Sequence, residues 1–418
     1  MTSADSSLPP EVDVVVVGGG IVGRSIAASV ARRGSSVLLL DAAGERFGTS
    51  DGNAGHLVPS HVVPFAAPGM VRAGLTSLVR RDGAFAISPK AGAAITSWLW
   101  QFARSATDRN VERAVPALRE LLDVSIGEVH RLRDAGAHLD LAPGGLLQVA
   151  RSAAGATALL HEHETMARWG VRTEMLTAAE VAAREPALLP GVSAGLLLCD
   201  DERVDPALLL DAVLADAVAH GTRVARASVA SVRTSPRGAV VDTDRGRVAA
   251  HDVVLAAGVW TPSLTASLGA SVPVRAAKGH SVTVVPPTVA LRGPLLLLDE
   301  RLAVTQLAAG LRITGGYQLT SARDRGIDPR RTADLVRRAG GAIDLAADCV
   351  PAHEWSGLRP ATPDGVPVIG RLASAPAVVI ATGHGMLGTS SGLGTGELVA
   401  EILEGRRTPE PFSPQRFR

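Results

Sequence analysis

Little in this chain suits a secreted scaffold, a nucleic-acid binder or a membrane span. It has only 2 cysteines in 418 residues. Cys199 and Cys349 lie too far apart in sequence to suggest a disulfide framework or a thiolate metal cluster, and such usage fits a reducing compartment. Aromatic residues make up 3% of the chain, which argues against the stacking platforms of single-strand binders. Neither sign of charge dominates: 42 Lys+Arg against 41 Asp+Glu leave +1. That balance lacks the excess cations of a phosphate-neutralising protein, so no nucleic-acid partner is expected. No apolar run approaches the roughly 18 residues needed to span a bilayer. Residues 1–10 lack the basic and apolar regions of a signal peptide and read as a disordered leader. Among the histidines, His161 and His163 are two apart and do not share a helix face, and no metal is expected. A Gly-x-Ser-x-Gly elbow is absent, which removes the serine-hydrolase reading. What remains is a cytoplasmic α/β protein, long enough for two or three structural units at about 100–200 residues each.

The organised part opens with a β-branched run over 12–17, the mark of a strand buried on both faces. Gly18-x-Gly20-x-x-Gly23 follows at once, a helix is expected over 24–33, and Gly34 ends it. A second buried strand over 36–40 ends at Asp41, completing a βαβ unit. Residues 48–68 read as an ordered loop. Helices are expected over 96–134, 152–169 and 205–220, the last with Pro206 in its first turn. Strands are expected over 145–150, 195–199, 224–232, 239–243 and 252–258. Segments 272–287 and 295–318 alternate as antiparallel strands do. From Trp355 onward come a Pro-rich loop, a strand over 377–381, a Gly-rich turn and a closing helix. The fold class is therefore α/β with α+β insertions, built on a discontinuous Rossmann-like domain. Residues 11–95, 195–262 and 352–418 would form the nucleotide-binding domain. Residues 96–194 and 263–351 would form a second, antiparallel-sheet substrate domain.

The glycine fingerprint stands between strand and helix, as a dinucleotide site requires. Gly18 permits the tight turn, Gly20 the approach of a pyrophosphate, and Gly23 close packing of helix on strand. Ile21 and Val22 open the helix, whose unpaired amides and partial positive charge favour phosphate. Asp41 stands about 20 residues on, where an acid accepts from a ribose diol and repels a 2′-phosphate. This unit alone fits NAD or FAD. No second fingerprint exists for a separate nicotinamide nucleotide. A further Gly-rich turn before the closing helix could meet the pyrimidine edge of a flavin, where reduction accumulates negative charge.

Five segments stand in the order seen in the D-amino-acid oxidase superfamily of flavoproteins. They are Gly18-Gly-Gly-Ile-Val-Gly23, Thr49-Ser-Asp-Gly-Asn-Ala-Gly55, Val254-Leu-Ala-Ala-Gly258, Gly357-Leu-Arg-Pro-Ala-Thr-Pro-Asp-Gly365 and Thr382-Gly-His-Gly-Met-Leu-Gly388. The chain most resembles the bacterial D-amino-acid dehydrogenases. Pro64-Phe-Ala-Ala-Pro-Gly69, Trp98-Leu-Trp100, Gly144-Gly-Leu-Leu-Gln148 and Lys278-Gly279 share that likeness, which runs from about residue 12 to 405.

The resemblance implies FAD, bound without a covalent tether, because Cys349 is not placed like the cysteine that holds flavin in sarcosine oxidases. It places Ser50, Asn53, Ala54 and Gly55 along the flavin, Val229 at the adenine, and Ala257, Gly258 and Trp260 beside the cofactor. Gly383, His384, Gly385, Met386, Leu387 and Gly388 would wrap the ring system, with His384 orienting that loop. Arg359 matches the arginine that grips the substrate carboxylate. A planar guanidinium suits that role, since it offers two parallel hydrogen bonds and keeps its charge. Tyr317 is the only tyrosine and a candidate cap on the substrate, and His56 would shape the pocket or its rim. Met386 and Leu387 stand where the glycine-oxidase branch carries a second arginine, which weighs against that activity.

The implied reaction is oxidative deamination of a D-amino acid to a 2-oxo acid and ammonia, with electrons passed to a quinone or other carrier. Cyclic or N-methyl amino acids, 2-hydroxy acids and a non-catalytic flavin protein are the alternatives. The Trp98, Trp100, Phe102 stripe reads as the core face of a helix. A peripheral membrane surface with Arg80 and Arg81, at the inner face of the membrane, is its second reading.

Overall fold

The computed structural model describes residues 7–42, 48–69, 85–93, 95–285, 291–406 and 408–417. Among these, eight strands form a first sheet around a parallel core. Glu11–Val17 lies between Val37–Asp41 and Gly246–Leu255, both parallel to it. Arg223–Arg226 extends one edge, and Ala375–Thr382 runs parallel to the far half of Gly246–Leu255. The near half of that long strand turns instead into an antiparallel meander with Gly238–Thr243 and Val229–Ser235. The expected strand over 224–232 is thus two strands. Its start joins the parallel edge and its end the meander, with a turn at Ala227 and Ser228 between them.

Helices Ile21–Arg32, Asp108–Asp134 and Gly388–Leu403 pack together over this sheet, sharing one core of Val14, Val16, Ile26, Leu39, Leu118 and Leu121. Glycine lets them approach closely: a Cβ at Gly394 would lie 2.1 Å from the Leu121 carbonyl oxygen. Helix 108–134 therefore belongs with the nucleotide domain, not with the substrate domain expected from sequence. Its apolar stripe matches the helix layer over the parallel strands.

The second sheet has nine strands among the described residues. Val350–Ala361 forms its edge beside Arg275–Val285, then come Gly310–Thr320, Leu302–Leu307, Leu295–Leu297, Leu146–Ala150, Ala194–Leu198 and Thr173–Thr177; Phe85–Ile87 joins at Gly310–Thr320. Two boundaries move here. Ala194–Leu198 pairs antiparallel with Leu146–Ala150, and Val350–Ala361 pairs with Arg275–Val285, so both leave the nucleotide pieces in which sequence set them. The Pro-rich loop expected from Trp355 is, up to Ala361, the end of that long edge strand.

Two smaller expectations also shift. The described end of the leader is engaged, because Leu8 packs on the first sheet and the Pro10 carbonyl accepts from Ala249 N at 2.9 Å. Trp98 and Phe102 are buried core residues, whereas Trp100 is exposed beneath the Arg104 guanidinium. Arg80 and Arg81 lie outside the described residues. No helix among the described residues is long and apolar enough to cross a membrane.

Candidate functional site

The carboxyl ends of the parallel strands open onto one cavity of about 460 Å³, within the ordinary range for small-molecule sites. Its near end is the Gly18–Gly20 turn and Asp41; its far end holds Trp355, Arg359, His384 and Met386. Ligand crevices of doubly wound sheets lie at this end of the strands.

The three fingerprint glycines have three different reasons to be glycine. Gly18 has φ +115°, and a Cβ there would sit 2.4 Å from the Ala256 carbonyl oxygen. A Cβ at Gly23 would fall 1.7 Å from the Gly18 carbonyl oxygen, so it sets the helix against the strand. Gly20 differs. Its φ of −73° suits any residue, and a Cβ would meet nothing nearer than Ser50 Oγ at 3.4 Å. Neither backbone nor protein packing demands glycine at 20, and the position faces the cavity. A dinucleotide pyrophosphate resting there supplies the missing reason, and the cradle fits FAD on this count.

Around it the polar groups are arranged for an anion and a diol. Ser50 Oγ accepts from Ile21 N at 3.1 Å at the helix start. Asp41 accepts from Gly19 N. Arg24 is buried at the same end and donates to Gly19 O at 2.8 Å and Leu210 O at 2.9 Å, tying turn and helix together. Ile21, Val22, Asn53, Val229, Ala257, Gly258 and Trp260 all line the wall.

The start of helix Gly388–Leu403 faces the same cavity through Gly385, Met386, Gly388 and Thr389. This presents the positive end of a helix dipole to the far end of the site. His384 is buried, and desolvation pulls its pKa down to about 4, so the ring is neutral. Its Nε2 lies 2.9 Å from Thr395 Oγ1, whose own proton goes to Ser391 O at 2.9 Å. His384 Nε2 is therefore the donor, and the ring anchors the loop to the helix.

Arg359 sits near the end of the edge strand. Its period-2 alternation puts Trp355, Gly357 and Arg359 on one face. The segment is clamped from both sides: Thr49 Oγ1 donates to Leu358 O at 2.8 Å, and Gly385 N donates to Pro360 O at 2.9 Å. The guanidinium itself donates from Nη1 to Gly316 O at 2.8 Å. Burial lowers its pKa somewhat, with Tyr317 acting the other way, yet a guanidinium stays charged.

Several residues expected at the cofactor stand behind the wall. Gly23 packs on the Gly18 carbonyl, Gly55 with φ +72° on Val204 O, and Gly383 with φ +82° on Thr362. Leu387 packs in the cluster of Val58 and Leu146. Ala54 also does not line the cavity.

His56 is off the wall as well. It lies on a short strand with Nε2 2.8 Å from Thr305 Oγ1, and burial with neighbouring His61 pulls it down to about 3. A histidine so held is neutral and a poor proton acceptor. Tyr317 lies beside Arg359 rather than on the main wall, and burial pushes its hydroxyl up to about 12.

Sequence reasoning missed Arg24, Trp355, Thr382 and Arg325, which line the cavity. Trp355 had a readable signal. Its ring fills space left by two glycines, with Gly52 and Gly357 positions 2.1 Å and 1.9 Å from ring carbons if a Cβ were added. Both cysteines pack against the second sheet's core, away from the cavity wall. Among the described residues no cluster of acidic, histidine or cysteine side chains could hold a metal ion.

Known proteins agree with this architecture. The family model described as FAD dependent oxidoreductase (DAO) matches residues 13–402. A D-amino acid dehydrogenase of Rhizorhabdus wittichii is 33% identical over 94% of this chain and 96% of its own. One from Cereibacter sphaeroides is 31% identical over 94% and 92%. The crystal structure of glycine oxidase from Geobacillus kaustophilus superposes with a TM-score of 0.78 at 25% identity, covering 98% of this chain and 99% of that one. With the glycine cradle and the second sheet in one connected architecture, the chain belongs to the FAD-dependent oxidoreductase family of the D-amino-acid oxidase type and is an FAD-dependent amine oxidoreductase.

Proposed function

We propose that this protein oxidises D-amino acids to 2-oxo acids and ammonia and passes the electrons to a quinone or another carrier rather than to oxygen. One observation carries the reading: a dinucleotide cradle stands at one end of one cavity, and at the other a clamped arginine with no carboxylate partner among the described residues. The D configuration and the carrier are supported by the names of the relatives at 33% and 31% identity.

Bound FAD supplies a two-electron acceptor, N5, for the hydride that leaves the substrate's Cα. The chain's own groups bind and align. The amides at Gly20 and Val22 would face the pyrophosphate, beside the Ile21 amide that Ser50 Oγ already holds, and Asp41 would accept from the ribose hydroxyls. Ser50 and Asn53, which line the cavity, would run along the flavin, Val229 would meet the adenine, and Ala257, Gly258 and Trp260 would flank the cofactor. The loop of Gly385, Met386 and Gly388, anchored by His384, would offer the helix amides to the pyrimidine edge. Both cysteines lie away from the cavity wall, which supports a non-covalent cofactor.

Arg359 holds the substrate carboxylate by two charge-assisted bonds and so fixes the direction of the Cα–H. The protonated Tyr317 hydroxyl stands beside that carboxylate. The amine enters neutral, and the resulting imine hydrolyses in water, so no side chain has to act as a general base.

The test is anaerobic addition of D- and L-amino acids to the purified yellow protein. Loss of absorption near 450 nm (roughly, the flavin's own band) with D-isomers alone, faster reoxidation by a quinone analogue than by oxygen, and ammonia release are expected. Bleaching by L-isomers alone, or by 2-hydroxy acids without ammonia, would overturn the reading.

A further inference from the structure

Aromatic residues are only 3% of the chain, yet five of them stand in a single row. Trp98 stacks on Phe102 at 5.6 Å between centroids, Phe102 meets Phe65 at 6.1 Å, Phe65 stacks on Tyr317 at 5.0 Å, and Tyr317 on Phe85 at 5.9 Å. The row begins in the core, where Trp98 is 1% and Phe102 7% exposed. It ends half-buried, at Phe65, Tyr317 and Phe85.

That half-buried end meets the arginine. The Arg359 guanidinium donates to Gly316 O, the carbonyl directly before Tyr317, and its charge acts on the Tyr317 hydroxyl. Ala277, the register partner of Arg359, forms the floor of the row together with Leu319. Lys278, one residue on, faces the other side of the sheet and is paired there with Asp324 at 3.2 Å. Among the described residues, hydrocarbon and ring faces therefore border the Arg359 guanidinium here, while Arg275, which shares this face, lies two residues further along its strand opposite Ala361.

We propose that Phe65, Tyr317 and Phe85 over this floor receive the substrate's side chain, so that the amino acid oxidised carries a bulky apolar or aromatic group. The proposal rests on Arg359 as the carboxylate anchor. With the carboxylate fixed there, the side chain is one carbon away and meets the rings. A methyl group leaves them wet, and a charged group loses its hydration without a partner. An apolar ring removes area from water and stacks with an offset, the geometry aromatic pairs favour.

Calorimetric titration of the holoenzyme with carboxylates that carry no amine tests this without turnover. Phenylacetate is expected to bind at least tenfold more tightly than acetate or succinate. Phe65→Ala and Phe85→Ala are each expected to shrink the phenylacetate-to-acetate ratio at least fivefold. Phe65→Leu, which keeps most of the apolar volume, guards against a folding defect and should lower the ratio by a smaller factor. In turnover, D-phenylalanine and D-leucine should exceed D-alanine and D-aspartate at least tenfold in kcat/KM. Equal affinities for phenylacetate and acetate, or a ratio untouched by all three substitutions, would overturn the pocket while leaving the anchor intact. If acetate and phenylacetate bind Arg359→Ala as tightly as the native protein, the anchor itself is wrong and the pocket falls with it.

Discussion

The guanidinium of Arg359 rests on the bare Cα of Gly279: a Cβ built there would lie 2.3 Å from Nη1 and 2.4 Å from Nη2. The two residues sit on adjacent strands, with Gly279 opposite Gly357 and Ala277 opposite Arg359. Absence of a side chain at 279 is thus what lets the cation lie flat where it does. Gly279→Ala should push the guanidinium aside while leaving the distant dinucleotide cradle alone. A displacement on the order of 1 Å in a positioning group costs about tenfold to a hundredfold in rate. Steady-state kinetics should show KM rising and kcat/KM falling by that factor, with the flavin-to-protein absorbance ratio unchanged. Native kinetics in this variant would contradict the packing.

Arg359→Ala removes the anchor outright. Charge-assisted hydrogen bonds contribute roughly 1.5–3 kcal/mol each, so losing two should raise KM by about a hundredfold or more. Arg359→Lys restores the charge but not the planar fork, and should recover only part of the loss. FAD should stay bound in both variants, since the cradle is built from other segments. Flavin content measured by absorbance, set beside KM for one amino acid, checks both halves.

At Gly20 the expectation is the opposite pairing. Its backbone φ of −73° accepts any residue, and protein atoms leave the Cβ position open. Gly20→Val should therefore fold, but the branched side chain would occupy the approach of the pyrophosphate. A colourless protein with native circular dichroism is the expected result. Stoichiometric FAD in the purified variant would place the pyrophosphate elsewhere.

The parallel core and the nucleotide end of the cavity were legible in the sequence because their signals are local. The run over 12–17, the three glycines and Asp41 lie within one βαβ unit, so spacing alone aligned them. Arg24 escaped notice although it lies in the same helix, because an arginine that donates to Leu210 O across the fold carries no local mark. Trp355 was lost when its segment read as a Pro-rich loop. Pro360 is tolerated near the end of an edge strand, where a missing amide breaks no interior ladder. Helix 108–134 was assigned to the wrong side for a related reason. Its amphipathic pattern predicts burial but not against which sheet, and only the close approach at Gly394 to Leu121 decides that.

A buried acid outside the cavity gives a pH prediction. Asp201 is fully buried and accepts from Ser60 N at 3.1 Å and Ser60 Oγ at 2.8 Å. Burial, reinforced by Asp200 and Glu162, pushes its carboxyl up to about 7 despite those bonds. A folded-state pKa above the unfolded value means the native state holds this proton more tightly. Its stabilising contribution is then complete below about pH 4 and is lost as pH rises through about 7, amounting to roughly 4 kcal/mol at most. Asp201→Asn should remove that dependence. The amide oxygen can accept from Ser60 N, and the amide nitrogen can donate to Ser60 Oγ. The Ser60 proton then passes to His61 Nδ1, 3.0 Å away on a ring that burial keeps neutral. Thermal melts across pH 4–8 should therefore show a flatter profile for the variant and a higher Tm than the native protein at pH 8. Parallel profiles for the two proteins would show that Asp201 is not the group that titrates.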